Sequence, residues 1–568
     1  IIGGGIVGCS IAYHLVKIGI TDVVLLERKR LTSGTTWHAA GLLGQLRATR
    51  NLTHLAQYTA GLYAGLEAET GQATGFKQNG SVSPATTAER FEEWKRGASM
   101  ARVFGLEVEV IGPAEARSLH PLIDVGDVVG AVFLPKDGQI NPTDVTRALA
   151  KGARAGGARI FESTKVTRIG TGEGRVTGVT TTAGEVACDA IVNCAGMWGR
   201  EVGAMAGVDV PLHACEHFYV VTEPLPEVTP DLPVLRDQDN FAYYKEEAGK
   251  ILLGAFETKA KPWGADGIPE DFSFDELPPD IAHFEPVLER AVKRMPILER
   301  AGIRTWFCGP ESFTPDVRYH LGEAPGLRGF FVACGFNSIG IQSAGGVGKV
   351  MADWINDGHP PMDLWDVDIR RNFPFQSNRR YLADRVTEGL GLLYAVHWPF
   401  YQYRSARGIR KSPLHDRLAA AGACFGETAG WERPNWFARD GTEPRYAYSY
   451  GRQNWFGDSA PGHRAVRSGV GLFDLTSFGK FLVQGRDAER FLGRLCANEV
   501  AVAPGRVVYT QWLNERGGIE ADVTVTRLSE DEYLVVTSAA SQVRDFAWLR
   551  ANVSGAGHAV VTDVTAAY

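Results

Sequence analysis

The chain opens on alternating blocks of apolar and small residues. Ile1 and Ile2 are adjacent, residues 3–8 read Gly-Gly-Gly-Ile-Val-Gly, and Ile11, Leu15 and Ile18 then recur at helical spacing up to Gly19. Residues 23–26 form a second solid apolar run that ends at Glu27. A helical period between two short buried runs predicts strand, turn, helix and strand. Farther on, 51–70 and 88–104 carry helical periods, while 75–82 and 108–111 read as strands. A helix is expected from Pro113 and another over 145–155, followed by a parallel strand over 158–161 and an extended segment over 164–169. Residues 190–196 combine a buried strand with a turn of small residues. Residues 212–223 alternate as one face of a sheet does, 236–245 and 251–257 continue in extended form, and 272–294 reads as an acidic, solvated helix. Residues 329–341 predict strand, turn and helix start, 347–355 a helix, and 357–361 a boundary rich in Gly and Pro. From 368 to 410 arginines and aromatics crowd together with little periodicity.

The first block carries chemistry as well as structure. Gly3, Gly5 and Gly8 stand in G-x-G-x-x-G register, with Ile6 and Val7 at the variable positions. Glycines at this spacing let backbone approach a pyrophosphate seated on a helix N-terminus. Glu27, followed by Arg28, lies where a carboxylate accepts ribose hydroxyls. A Gly-rich hairpin in another fold would leave that acid unexplained, so the block reads as a dinucleotide site. Ser33, Gly34, Thr35, Thr36, Trp37, His38, Ala39, Ala40 and Gly41 come next, as hydroxylated residues leading into a segment expected to be helical. Such hydroxyls suit phosphate or ribityl oxygens. On spacing alone His38 reads equally as a core imidazole and as a ligand.

Length and charge narrow the class. The 568 residues allow roughly two to four domains. A net charge of −7 from 59 basic and 66 acidic residues, with the bases scattered, argues against nucleic acid as partner. No apolar run reaches about 18 residues, so no membrane span is expected. Eight cysteines show neither C-x-x-C nor metal-like spacing. They read as thiols of a reducing compartment, cytoplasmic or, in a eukaryote, the mitochondrial matrix, and no metal site is expected. The chain begins inside a strand pattern without Met and ends inside another over 561–568, so both termini are expected to continue.

The stretch S-G-T-T-W-H-A-A-G, behind G-G-G-x-V-G and the L-L-E-R of residues 25–28, resembles the sarcosine and dimethylglycine dehydrogenases, flavoenzymes that oxidise N-methyl amines. The resemblance implies an α/β and α+β chain. A Rossmann-type FAD-binding domain would span 1–207 and 320–364. A substrate-binding, mainly antiparallel sheet domain would span 208–319 with parts of 75–140, and a connecting domain 365–411. A partial, truncated T-protein-like folate domain would span 412–568. It further implies FAD bonded covalently through His38, a backbone amide of Val166 by the adenine, and Trp198 near the flavin. Gly335, Asn337, Ser338, Ile339, Gly340 and Ile341 form the third flavin element, whose helix amides can stabilise the reduced ring. Cys194 reads as a small core residue.

The strand at 212–223 is similar to the family's H-x-Y-V-V-T-E strand and places His217 in the substrate pocket, with His213 read as an ordinary imidazole. The segment 236–245 resembles R-D-x-D…Y-x-R/K, which makes Tyr243 the active-site tyrosine and sends Tyr244 to the opposite face. A Tyr/His pair beside an apolar flavin face can hold the amine and stabilise its neutral form. Glu311 reads equally as substrate-facing and as structural, and Arg47, Lys245 and Arg318 are unranked candidates for the substrate carboxylate. Residues 471–481 and 514–525 look like glycine-cleavage T-proteins, whose functional acid falls on Asp522. The resemblance thus implies oxidative demethylation of sarcosine or dimethylglycine, with hydride passing to flavin N5. The one-carbon unit would leave as formaldehyde or pass to tetrahydrofolate, and an electron-transfer flavoprotein or oxygen would reoxidise the flavin. Another N-methyl amine such as 4-methylaminobutyrate, a folate-dependent demethylase with a passive flavin, and a non-catalytic regulatory role stay open.

Overall fold

In a computed structural model, which describes residues 1–439, 441–553 and 557–567, Ile2 is the keystone of the first sheet. It bridges Leu26 on one side and Asn193 on the other, both in parallel. Strand Val24–Leu26 pairs in parallel with Arg159–Phe161, and Ile191–Asn193 with Phe330–Cys334, which carries His320–Glu323 antiparallel on its far edge. Helices Ile6–Lys17, Arg50–Thr70, Pro142–Ala155 and Gly340–Asp357 supply one buried face, with Ile11, Leu15, Leu66, Leu149 and Val347 in a common core with the sheet. The helix Pro142–Ala155 starts as its sequence directs, with Pro at the first turn and the Asn141 side chain accepting from Asp144 N at 3.1 Å, a cap worth about 1 kcal/mol. The strand–turn–helix–strand block therefore forms as read, because its helical period and flanking glycines are local signals.

A nine-stranded, mostly antiparallel sheet follows, drawn from two stretches of chain. Strand His213–Thr222 pairs with Ile303–Phe313 and, in parts, with Ile251–Ala255 and Pro262–Trp263. From Ile251–Ala255 the sheet continues through Ala242–Glu246 and Val234–Asp237 to Ser81–Ala85, Gly130–Leu134 and Glu109–Ile111. The segment 236–245 forms two strands joined by the turn Gln238–Asn240, so Arg236 lies directly opposite Tyr243. One expectation needs correcting here. Helix Ile281–Arg294 is shorter than the acidic stretch that predicts it, and it is not simply solvated. It buries Phe284, Val287 and Ala291 against the back of the sheet, and Arg294 meets Asp237 at 2.9 Å where both side chains are almost fully buried.

The contact pattern divides the chain into two compact units. The first comprises 1–369 and 374–397, the second 370–373 and 398–568. Within the first, helix Arg379–Leu392 packs Val386 and Leu390, together with Tyr394, beside Tyr243 and Phe256. The second holds a hairpin, Ala423–Thr428 with Trp431–Phe437, in which Glu432 ion-pairs with Arg407. It also holds a five-stranded antiparallel sheet around Phe481, Phe491, Trp512, Tyr533 and Val535. Its strand Val560–Asp563 is the part of the terminal pattern that forms; Tyr568 lies outside the described residues. Among the described residues no helix is long and apolar enough to cross a membrane.

Candidate active site

The turn between Ile2 and helix Ile6–Lys17 opens a cavity of about 360 Å³. Its shape depends on two glycines. Gly3 sits at φ 113°, and a Cβ on Gly8 would lie 2.1 Å from the Gly3 carbonyl, so neither position admits a side chain. The helix begins at Gly5 without a side-chain cap, apart from Thr36 Oγ1, which accepts from Ile6 N at 3.2 Å. Amides of a helix start left free in this way suit phosphate oxygens. Glu27 is buried at the end of its strand, where its Oε2 accepts from Gly4 N at 2.7 Å and its Oε1 from Lys29 N at 2.8 Å. Burial pushes this carboxyl up, and the two amides oppose the shift. Each oxygen keeps a lone pair for a ribose hydroxyl.

Of the residues singled out from sequence, Gly3, Gly5, Ile6, Val7, Glu27, Arg28, Ser33, Gly34, Thr35, Thr36, Ala39, Val166, Trp198, Asn337, Ser338, Gly340 and Ile341 line this cavity. The Arg28 guanidinium stacks 4.1 Å from the Trp198 ring and closes one wall. Gly4, Lys165, Cys194, Cys334 and Phe336 also line it and carried no prior assignment as cofactor contacts. Gly8 and Gly335 act behind the wall, and Trp37 packs edge-on against Phe274 and Phe307 rather than facing either cavity. The expected helix around His38 is only a single turn, Thr36–His38, held between Thr32 at φ 71° and Gly41 at φ 79°. The third element forms as strand, turn and helix, with the helix starting at Gly340, earlier than its apolar period indicates. Asn337 and Ser338 hold left-handed conformations at φ 49° and 64°. The Asn337 side chain fixes the turn by accepting from Thr314 N at 2.9 Å and donating to the Gly335 carbonyl at 2.7 Å. Backbone strain held by such bonds is typical of a site that presents amides to a ligand.

A second cavity of about 170 Å³ shares the walls formed by Ala39, Glu311, Ser338 and Ile341 with the first. Strand register builds its floor. Arg236 lies opposite Tyr243, Tyr243 opposite Gly254, Gly254 opposite Tyr219, and Tyr219 opposite Phe307, one row across five strands. Successive residues alternate faces, so His217 and Gly309, and then Glu311, continue the same face along the neighbouring strands. Tyr244 faces the opposite core, as expected. The Tyr243 ring lies over Gly254, where a Cβ would come within 2.0 Å of Tyr243 Cζ. The His38 ring lies over Gly309, 2.8 Å from where a Cβ would stand, and 5.2 Å from the Phe307 ring.

Electrostatics divide this pocket. Arg47 and Arg236 lie in its wall with both Nε atoms buried and unpartnered. Burial, then the neighbouring Arg236, lowers Arg47 to about 10. Asp137 is the nearby acid, but its oxygens already accept from Gln45 N and Ser81 Oγ. Lys245 instead donates to the Ala40 carbonyl and pairs with Glu247, and Arg318 pairs with Asp366 at the surface. Among the three sequence candidates only Arg47 lines the pocket, and Arg236 joins it. Toward the strands of His217 and Glu311 the pocket is acidic. Glu257 Oε2 stands 3.5 Å from His217 Nδ1, and Glu311 has an unpartnered oxygen. Burial alone would lower His217, but Glu257 and Glu311 outweigh it and raise the imidazole above its ordinary value. Burial, with His217 alongside, lowers His38 to about 3, so this imidazole is neutral and nucleophilic at neutral pH. Its Nε2 is buried without a partner. Glu257, Arg236, Gly254 and Gly309 were not singled out from sequence. A glycine inside an otherwise apolar strand, as at 254, is the signal that marks a close approach.

These features fit a flavin dinucleotide: a glycine turn that a side chain would block, free helix amides at two places, an acid for ribose, and an unpartnered neutral histidine beside the cavity. Comparison with known proteins agrees. Residues 1–354 match the FAD dependent oxidoreductase family, 357–412 the FAD dependent oxidoreductase central domain, and 414–568 the GCVT N-terminal domain. The chain is 44% identical to a 4-methylaminobutanoate oxidase (formaldehyde-forming) of Paenarthrobacter nicotinovorans, covering 100% of this chain and 69% of that protein. It is 40% identical to the mitochondrial sarcosine dehydrogenase of Homo sapiens, covering 93% and 61%. It is also 37% identical to the mitochondrial pyruvate dehydrogenase phosphatase regulatory subunit of Mus musculus, covering 100% and 66%. The chain thus spans about two thirds of the length of these relatives. Among solved structures, L-proline dehydrogenase from P. horikoshii superposes with a TM-score of 0.59 at 26% identity, over 65% of this chain and 96% of that one. The chain belongs to the FAD dependent oxidoreductase family.

Proposed function

We propose that this protein oxidises the N-methyl group of a small amino acid, with sarcosine, dimethylglycine and 4-methylaminobutanoate as the substrates to compare. One observation carries the reading. The pocket joined to the dinucleotide cavity holds two arginines with unpaired nitrogens on one side and Glu311 and His217 on the other, with Glu257 3.5 Å from His217 Nδ1, a charge pattern complementary to a zwitterion. The His217 strand and the Arg236 strand are separated by two others, about 14 Å at the usual strand spacing, so the two charges of a substrate meet opposite walls.

Gly3, Gly5, Ile6, Glu27, Ser33, Thr36 and the helix start at Gly340 would hold FAD, and His38 is proposed as its covalent attachment point. Bound there, FAD supplies the acceptor for the hydride of the N-methyl carbon. The chain's own residues do the rest. Arg47 and Arg236 bind the carboxylate by charge-assisted hydrogen bonds. Tyr219, Phe307 and Phe256 form apolar walls that exclude water. His217 and Tyr243 hold the amine, which must lose its proton before its lone pair can assist hydride loss. The product iminium then hydrolyses to formaldehyde or passes its carbon to tetrahydrofolate. For the latter route Asp522, on strand Ile519–Arg527 and accepting from Tyr509 Oη at 2.9 Å, is the proposed acid of the second unit. A pocket furnished in this way favours catalysis over a purely regulatory role. Incubation with each N-methyl amino acid and either oxygen or an electron-transfer flavoprotein should yield the demethylated amine and one equivalent of formaldehyde; no product from any of them would remove the proposal.

A further inference from the structure

We propose that Glu257 is a positioning residue, forming with His217 a carboxylate–imidazole dyad in which Glu257 faces Nδ1 and leaves Nε2 to take the proton of the substrate ammonium. The inference rests on the reading of the pocket given above and adds a residue and a proton path to it. His217 projects from the middle of strand His213–Thr222 into the smaller cavity, and Glu257 lies two residues past the end of strand Ile251–Ala255, the neighbour of that strand. The two side chains are buried to within 6% and 4% of full burial, with Nδ1 and Oε2 3.5 Å apart. Neither nitrogen of His217 and neither oxygen of Glu257 has a hydrogen-bond partner. Four unsatisfied buried polar atoms are costly in a folded core, and a ligand donor at Nε2, the nitrogen left to the cavity, would relieve part of that cost.

Titratable groups face His217 and Glu257 from several neighbouring elements. Glu311 faces it from strand Ile303–Phe313, and His38 from the turn beside Gly309. Cys215, Cys308 and Tyr243 stand near Glu257, and burial pushes all three up, so they stay neutral. His283 also lies near Glu257, and burial lowers it, so it too is neutral at neutral pH. In the proton transfer an N–H bond of the substrate ammonium breaks and an Nε2–H bond forms. The positive charge moves from the amine to the imidazole, where Glu257 compensates it, and the amine keeps the lone pair needed for oxidation. A carboxylate on the far nitrogen both fixes the tautomer and raises basicity, as outer partners of imidazoles generally do.

The test uses full-length flavinylated protein and two readouts. The first is the pH dependence of anaerobic flavin reduction by an N-methyl amino acid. The neutral base is required, so the rate should rise as pH passes through the His217 ionisation. In Glu257→Gln that rise should move at least one unit toward acid and the limiting rate fall about tenfold to a hundredfold; Glu257→Asp should restore most of both. The second is the Kd of a thioether isostere of the substrate, sulfur in place of nitrogen, followed by flavin absorbance. This probe has no amine of its own, so the ionisation in its pH dependence belongs to the protein. It should shift in Glu257→Gln and vanish in His217→Asn. If wild type is reduced but neither profile moves in Glu257→Gln or Glu257→Asp, the dyad falls alone. If no N-methyl amino acid reduces wild type, the substrate reading falls and takes the dyad with it.

Discussion

Replacing Gly254 by Ala tests whether the tyrosine row is working machinery. Gly254 sits mid-strand between Tyr219 and Tyr243, hydrogen-bonded on both sides, so its backbone has little room to retreat. The added methyl would stand 2.0 Å from Tyr243 Cζ and 2.2 Å from its hydroxyl. Ordinary carbon contact is about 3.5 Å, so the ring must withdraw by roughly 1.5 Å. Overpacking of this kind costs about 1–3 kcal/mol, which corresponds to a fall in Tm of several degrees. Misplacing a reacting group by about 1 Å costs about a hundredfold in rate. Stopped-flow reduction of the bound flavin under anaerobic conditions should therefore slow by about two orders of magnitude, while flavin content stays at that of wild type. A Gly254→Ala protein with full flavin and an unaltered reduction rate would refute the placement of Tyr243 against the substrate.

Four further outcomes follow from the same geometry. His38→Ala should fold and bind FAD reversibly, so that acid precipitation leaves the yellow colour in the supernatant, whereas wild type keeps it in the pellet. Gly309→Ala, whose methyl would press on the His38 ring, should lower the covalent fraction and leave reversible flavin behind, measured by the same precipitation. Arg236→Leu should raise the substrate KM by about a hundredfold, the scale for losing a charged hydrogen-bond partner, measured by steady-state kinetics. Asp522→Ala should leave flavin reduction unchanged but raise free formaldehyde in the presence of tetrahydrofolate, assayed by trapping.

What could be read along the chain was what the chain encodes locally. The glycine turn, its helix and Glu27 lie within one short stretch, and their spacing alone locates the dinucleotide cavity. The alternation from His213 to Thr222 puts His217 and Tyr219 on one face for the same reason: a strand has a period of two. The substrate pocket is different. Arg236 reaches Tyr243 only because a turn at Gln238–Asn240 folds the segment back, and Glu257 reaches His217 only through strand pairing. No periodicity announces such meetings. The segment around His38 misleads in the opposite direction, since Ala39, Ala40 and Leu42 read as helical whereas Thr32 and Gly41 at positive φ confine it to one turn. The acidic stretch before Arg294 misleads by composition, because Phe284, Val287 and Ala291 share the one face that meets the sheet while the acidic residues of the helix and Ile281 stay outside.

Central to the proposed function is a pocket that brings an N-methyl amino acid against the flavin. Anaerobic titration of the purified protein with sarcosine, dimethylglycine and 4-methylaminobutanoate, followed in the visible band, tests it most directly. At least one of them should bleach the flavin completely at one equivalent per site, and a band that persists through saturating amounts of all three would contradict the account.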